Sequence, residues 1–202
     1  MEDIQYPDYG PDVVLDDPAF IHPSALMYGK VRIGKQASLW PHVVIRGESL
    51  GIEVGPYTNL QDFVMVHESR FFPTRIGAYC SVTHHATVHA CIIGDNCLIG
   101  INATVMDGAV VGDNCIIAGH CIVTENAEIP DNSIVVGSPG KVIRTTNSYV
   151  SNKFNALMYH RNATHFARGS HRAWDGSPEF EAWVESETNR LEEEFAVMGG
   201  AG

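Results

Sequence analysis

The sequence predicts an all-β solenoid, a left-handed parallel β-helix of hexapeptide repeats, followed by C-terminal α-helices. An aliphatic residue recurs every six residues from Ile21 onward, and the series is unbroken from Ile93 to Val135. A small residue, usually Ala, Cys or Val, stands four positions after most of these aliphatics. This period fits neither an amphipathic helix nor a half-buried strand. It fits a coil of three short strands, about 18 residues per turn, with large and small side chains alternating inside.

The six-residue spacing shifts at three points, and all three shifts fall at the same corner of the predicted coil. The spacing is nine across Ile45–Val54, ten across Val66–Ile76 and five across Val88–Ile93. The two longer spacings predict neighbouring loops that project at one edge. Functional residues tend to lie on such loops, so we expect a functional site at this edge.

The repeat divides the chain into an N-terminal extension (1–20), a β-helix domain (21–146) and a C-terminal helical segment (147–202). The first helix of that segment is predicted from about Tyr149 to Phe166, and the second begins at Pro178. An apolar stripe along the second helix includes Phe180 and Leu191, and its glutamate-rich side is typical of a solvated face. We expect the stripe to pack on the β-helix or on a neighbouring subunit.

Composition excludes several classes of function. The formal net charge is −11, with 24 acidic against 13 basic residues, which argues against nucleic acid as a partner. No stretch approaches the roughly 20 apolar residues of a membrane helix. The acidic start of the sequence carries no secretory signal, so we expect a cytoplasmic protein. Most of the cysteines occupy the small inward position, which favours buried thiols in a reducing compartment (Cys80, Cys97, Cys115, Cys121).

Two of the ten histidines share one position in consecutive turns. His67 follows Val66 and His89 follows Val88, so each is the first outward residue of a third strand. Equivalent positions in stacked coils lie about 4.8 Å apart. Imidazoles at that separation can share a metal ion with bonds of roughly 2.0–2.1 Å. Arg46 occupies the same position one turn earlier.

His84 belongs to a different side of the predicted triangle, because it follows the second strand of its turn. One chain therefore cannot easily bring His84 to His67 and His89, whereas a neighbouring subunit in a threefold ring can. Gln61 and Asp62 lie on the side of His84, one turn earlier. The geometry predicts a homotrimer with interfacial metal sites. The alternative is a set of unrelated histidines on the surface of a solenoid.

These motifs resemble the γ-class carbonic anhydrase family, including its relatives associated with carnitine and phenylacetate catabolism. The matching residues are Arg46-Gly47-Glu48, Asn59-Leu60-Gln61-Asp62 with His67, and His84 with His89, and the resemblance covers about residues 20 to 145. It implies Zn²⁺, or Fe²⁺ or Co²⁺, bound by His67 and His89 of one subunit and His84 of the next. It also implies an interfacial ion pair for Arg46, a hydrogen bond from Gln61 to the metal-bound water or hydroxide, and reversible hydration of carbon dioxide.

Several residues depart from the family pattern. Glu48 stands where the family usually has Asp, and Thr83 and Ala90 stand where it often has Gly. Ser49 replaces an acid that ferries protons in the most active members, which leaves Glu68 or His85 as a proton shuttle or as plain surface groups. Asp62 is a candidate to orient a histidine. Tyr159 and Asn162 form a Tyr-x-x-Asn pattern similar to that of relatives whose first C-terminal helix overhangs the site.

Four functions remain open from the sequence. The first is carbonic anhydrase activity, a hydro-lyase reaction, at modest rate. The second keeps the metal but hydrolyses a thioester or a small amide, and the third is a catalytically weak scaffold that binds bicarbonate or metal. The fourth, a hexapeptide acyltransferase, is disfavoured because that class does not need three histidines at these spacings.

Overall fold

The computed structural model describes residues 9–199, which form a triangular coil of parallel strands followed by two helices. The predicted left-handed β-helix is confirmed. Strands numbered in chain order form three faces. The first face contains β1 (Val13–Leu15), the second halves of β3 (Leu26–Ile33) and β5 (Val44–Val54), β8 (Thr74–Ile76), β11 (Ile92–Ile93), β14 (Val110–Val111) and β17 (Glu128–Ile129).

The second and third faces complete each turn. The second face contains β2 (Phe20–Ile21), β4 (Ser38–Leu39), β6 (Asn59–Leu60), β9 (Ser81–Val82), β12 (Leu98–Ile99), β15 (Ile116–Ile117) and β18 (Ser133–Val136). The third face contains the first halves of β3 and β5, then β7 (Met65–His67), β10 (Thr87–His89), β13 (Thr104–Val105) and β16 (Ile122–Val123). After these, β19 (Lys141–Thr145) pairs antiparallel with β18.

The core follows the six-residue period. The large aliphatics point inward and are buried, as at Ile33, Leu60 and Ile99, which are 0% exposed. The small positions are buried between them, because the bore of the coil leaves room for a large side chain only at alternate inward sites. Many corners are turned by a residue with positive φ, and Asn supplies it at Asn96 and Asn114 because Asn tolerates this conformation.

The coil begins before residue 21, the predicted boundary. β1 lies inside the segment assigned to the N-terminal extension and pairs in parallel with β3. Val13 and Leu15 pack against the core and cover the side chains of the first turn, which would otherwise face solvent. Residues 1–8 of the predicted extension lie outside the described residues.

Two helices follow the coil. α1 (Tyr149–Phe166) packs on the second face against β2, β4, β6 and β9, and α2 (Pro178–Val197) packs on α1. The contact of α1 is aromatic, with Trp40 of the coil lying 4.9 Å from Phe166 and 5.6 Å from Tyr159 between ring centroids. Lys153 of α1 pairs with Glu194 of α2 at 2.6 Å. Within residues 9–199, neither helix is long and apolar enough to cross a membrane.

We expect the cysteines to be unreactive in the folded protein. All five are free and buried, and burial raises the pKa of the Cys91 thiol to about 12. The thiolate is the reactive form, so little of it exists at Cys91 at pH 8, and burial keeps a reagent away from all five sulfur atoms. A thiol-specific chromogenic reagent should therefore label the native protein slowly and the unfolded protein at all five positions. Rapid labelling of native protein at any cysteine would contradict the fold described here.

Candidate metal centre

The strand register places Arg46, His67 and His89 in one column on the third face. Arg46 is the register partner of His67, and His67 is the register partner of His89. His67 and His89 end their strands, and Arg46 is the last residue of β5 that pairs with β7, at the corner where the spacing shifts. The two imidazoles face each other, with Nδ1 of His67 lying 3.0 Å from Nε2 of His89.

This pair of nitrogens fits a shared metal ion. Two nitrogens bound to one tetrahedral zinc at ~2.05 Å lie roughly 3.3 Å apart. The separation of 3.0 Å between His67 and His89 needs only a small outward rotation of the rings to reach that value. Both side chains are partly exposed, at 23% and 29%, so a ligand from outside the chain can approach them.

Each of the three predicted histidines has a carboxylate at its other ring nitrogen. Asp107 lies 2.5 Å from Nδ1 of His89, and Asp62 lies 3.0 Å from Nδ1 of His84. Glu48 lies 3.0 Å from Nε2 of His67. A carboxylate that accepts a hydrogen bond from one ring nitrogen leaves the other nitrogen as the acceptor, which is the form that binds metals.

Glu48 also contacts Arg46, so its extra methylene does not prevent the ion pair. The pair forms within the chain, between side chains that are about half exposed. It links Arg46 to His67 through a single carboxylate. The interfacial ion pair implied by the resemblance is a separate contact and stays a prediction.

His84 lies on a different face from the other two histidines. It follows β9 of the second face, whereas His67 and His89 end β7 and β10 of the third. Among residues 9–199, no three His, Cys, Asp or Glu side chains of the single chain form a metal-binding group. The described residues of one chain therefore do not bring these three histidines together.

Gln61 is buried beside Asp62, at 1% exposure. Its amide nitrogen donates to Asn59 at 3.0 Å, and Asn59 in turn donates to Ser81 at 2.9 Å. This network fixes the orientation of the Gln61 amide. Only one N–H of the amide is used in this contact, so the second N–H and the amide oxygen remain for a hydrogen bond to a ligand on the metal.

Glu68 is neither a surface group nor a free proton carrier. It is 2% exposed, and its carboxylate accepts backbone hydrogen bonds from Ser49, from Leu50 at 2.7 Å and from Gly51 at 2.6 Å. The interpretation of Glu68 as a plain surface group is therefore wrong, because the projecting segment of β5 turns its amides toward this side chain. His85 is exposed and stacks on Phe63, with ring centroids 4.9 Å apart.

Tyr159 and Asn162 lie on α1 above the second face. Tyr159 is packed between Trp40 and Trp174, and burial together with the negative charge of Asp62 raises its pKa to about 12. Asn162 is buried and lines a surface pocket of about 340 Å³ together with Trp174. The two residues thus lie on the side of the coil that carries Asp62.

Two residues near the histidines were missed by the sequence reasoning. Asp107 is the hydrogen-bond partner of His89. Its position one turn of the coil after that histidine could have identified it from the sequence. Thr74 is buried, its hydroxyl donates to the carbonyl of His67 at 2.5 Å, and it accepts from the backbone N–H of Ala90 at 2.9 Å. Thr74 thereby ties together the two corners that follow the paired histidines.

Comparison with known proteins agrees with this fold. Residues 90–125 match the family described as bacterial transferase hexapeptide (six repeats). A solved structure of a putative acetyltransferase from Bacillus cereus superposes with a TM-score of 0.75 at 27% identity, covering 78% of this chain and 93% of that chain. The coil is therefore shared with proteins that carry acetyltransferase names.

Curated relatives identify the branch of that fold. A probable carbonic anhydrase of Methanocaldococcus jannaschii is 50% identical over 137 residues, which are 67% of this chain and 86% of that protein. Gamma carbonic anhydrase 2, mitochondrial, of Arabidopsis thaliana is 39% identical over 101 residues, which are 47% of this chain and 36% of that protein. The chain belongs to the γ-class carbonic anhydrase family of hexapeptide-repeat proteins.

Proposed function

We propose that this protein catalyses the reversible hydration of carbon dioxide to bicarbonate at divalent-metal sites between the subunits of a homotrimer. The observation that carries the proposal is the facing pair His67 and His89, with nitrogens 3.0 Å apart and each ring also held by a carboxylate. The 50% identity to a probable carbonic anhydrase supports the same reaction.

His67 and His89 of one subunit and His84 of the next would hold the metal. Three neutral nitrogen ligands suit Zn²⁺, with Fe²⁺ or Co²⁺ as alternatives, and leave one coordination position open. A divalent cation bound there supplies the Lewis acidity that activates water at neutral pH. His84 fits this role because Asp62 occupies its Nδ1 and leaves Nε2 for a ligand outside the chain.

The surrounding residues position the groups that react. Glu48 holds both Arg46 and His67, so it couples the cationic side chain to the histidine pair. Gln61, fixed by Asn59, presents an amide group of defined direction. Asp62 orients His84, and the contact of Tyr159 with Trp40 holds α1 against this side of the coil.

Hydration releases a proton, and few groups of the chain are suited to carry it away. Glu68 is committed to backbone amides, and Ser49 has no acidic group. Exposed His85 is the remaining candidate. We therefore expect a modest rate that rises with the concentration of an imidazole-type buffer, because buffer then takes the proton directly.

Stopped-flow hydration of carbon dioxide tests the proposal. Protein loaded with Zn²⁺, or with Fe²⁺ under anaerobic conditions, should accelerate hydration above the buffer rate, and a chelator should abolish the acceleration. Light scattering should give the mass of a trimer. Bound metal without acceleration of hydration would favour a scaffold that binds bicarbonate or metal, and a monomer without bound metal would refute the proposal altogether.

A second candidate is hydrolysis of a small thioester or amide at the same metal sites. The pocket of about 340 Å³ next to Trp174 favours it, since Trp174 contacts Tyr159 and the pocket could receive an organic group larger than carbon dioxide. A panel of acyl thioesters and amides separates the two reactions. The cytoplasmic location and the small-molecule substrate, without nucleic acid or membrane partners, remain predictions.

A further inference from the structure

Asp107 is the carboxylate nearest to a predicted metal ligand, and the sequence motifs assign it no role. It lies at the turn after β13, one coil beyond His89, with its Oδ1 2.5 Å from Nδ1 of His89. The two side chains are similarly shielded, at 28% and 29% exposure. The contact is therefore made in a partly desolvated place, where a charged hydrogen bond is stronger than in open water.

This contact determines which nitrogen of His89 is free. An ionised carboxylate can only accept hydrogen bonds, so Nδ1 of His89 carries the proton. The lone pair is then on Nε2, and Nε2 is the atom that lies 3.0 Å from His67. The geometry points to Asp107 as a positioning residue that fixes the tautomer and ring direction of His89 for a divalent metal, an inference that rests on the proposed function.

The backbone holds Asp107 in place. The N–H of Gly108 donates to the carbonyl of Ala90 at 2.8 Å, which ties the corner after Asp107 to the corner after His89. The carbonyl of Asp107 accepts from the N–H of Asn126 at 2.9 Å, which ties it to the next turn. The distance between Asp107 and His89 is thus set by the stacking of the coil.

A related contact occurs at His84, on another face. Asp62 lies 3.0 Å from Nδ1 of His84 as an ion pair, which favours a proton on that nitrogen. In the proposed trimer these two histidines approach the metal from different subunits, each backed by an aspartate of its own chain. A carboxylate on the distal nitrogen of a ligating histidine raises its basicity and restricts its rotation.

Asp107→Asn tests the inference, with Glu125→Gln as a matched control. Asn keeps the shape of the side chain but removes the negative charge, whereas Glu125 is an exposed carboxylate further along the same face. Zn²⁺ affinity, measured by competition with a chromogenic chelator, should fall roughly 10- to 100-fold in Asp107→Asn and stay unchanged in the control. The absorption spectrum of Co²⁺-loaded protein should change only in Asp107→Asn.

A purely structural ion pair would behave differently. It would lower the melting temperature of the metal-free protein, whereas a positioning role leaves that temperature unchanged. Asp107→Glu retains the negative charge and should recover part of the Zn²⁺ affinity that Asp107→Asn loses. It also supplies a folded variant if the amide of Asp107→Asn disrupts the corner. Equal Zn²⁺ affinity in Asp107→Asn and wild type, or a loss of affinity matched by a loss of metal-free stability, would overturn the inference. Wild-type protein that binds no metal would overturn the proposed function as well.

Discussion

Replacing His84 with alanine is expected to remove the bound metal while the coil stays folded. His84 is 39% exposed as a side chain, and its contact with Asp62 lies at the edge of the coil, so truncation leaves the inward aliphatic positions intact. The remaining pair, His67 and His89, would hold a metal only weakly. We expect metal content to fall to background and hydration to slow by more than about 100-fold, beyond the usual effect of losing a second-shell partner.

His85→Asn is the matched control for metal content alone, because His85 is the candidate proton carrier and its loss should slow hydration by another route. His85 is the adjacent histidine, exposed and stacked on Phe63, and its backbone has a φ of 60°, which Asn tolerates better than Ala. Metal analysis of the purified trimers, beside circular dichroism, compares the two variants. Full metal occupancy in His84→Ala would show that this histidine is not a ligand.

Mixed trimers provide a stricter version of the test. Chains with His84→Ala and chains with His67→Ala and His89→Ala should bind no metal when each is expressed alone. Coexpressed with different tags, they should form mixed trimers that each regain a single site, because only one interface of the ring then joins an intact pair to an intact His84. If no metal returns in mixed trimers, the three histidines do not meet across an interface.

The repeat allowed much of this centre to be predicted from the sequence. In a coil of fixed period, residues at the same repeat position lie in one column, and the strand register pairs Arg46 with His67 and His67 with His89 as the spacing required. The same rule placed His84 on a different face. These predictions needed only the backbone, which the inward aliphatics determine.

The contacts that depend on side-chain direction could not be predicted in this way. The hydrogen bonds of Glu68 and Thr74 involve segments where the six-residue spacing is broken, so the repeat gives no position for their partners. The burial of Tyr159 depends on where α1 docks, and that helix lies outside the repeat. The repeat therefore predicts which residues stack in one column. The hydrogen bonds that hold these residues in place come from the irregular corners, which the repeat does not describe.

Glu68→Ala is expected to give the largest loss of stability of these variants, about 2–4 kcal/mol. Three hydrogen bonds to a charged group, at roughly 1.5–3 kcal/mol each, set an upper limit of about 4.5–9 kcal/mol, and water bound to the freed amides recovers about half of it. Its buried carboxylate accepts backbone hydrogen bonds from Ser49, Leu50 and Gly51, three consecutive residues of the projecting part of β5. Urea unfolding followed by circular dichroism measures the change.

The segment held by Glu68 also carries Arg46 and Glu48, so its loosening should reach the metal centre. Glu68→Gln is the control. The amide oxygen of the new side chain can still accept hydrogen bonds from part of the segment, whereas its amide nitrogen cannot. The loss of stability should therefore be smaller than in Glu68→Ala. Hydrogen exchange at Ser49, Leu50 and Gly51 separates two outcomes. If these amides exchange fast in Glu68→Ala but the urea midpoint is unchanged, the segment opens locally without supporting the coil. If exchange stays slow and the urea midpoint is unchanged in both variants, the role given to Glu68 is contradicted.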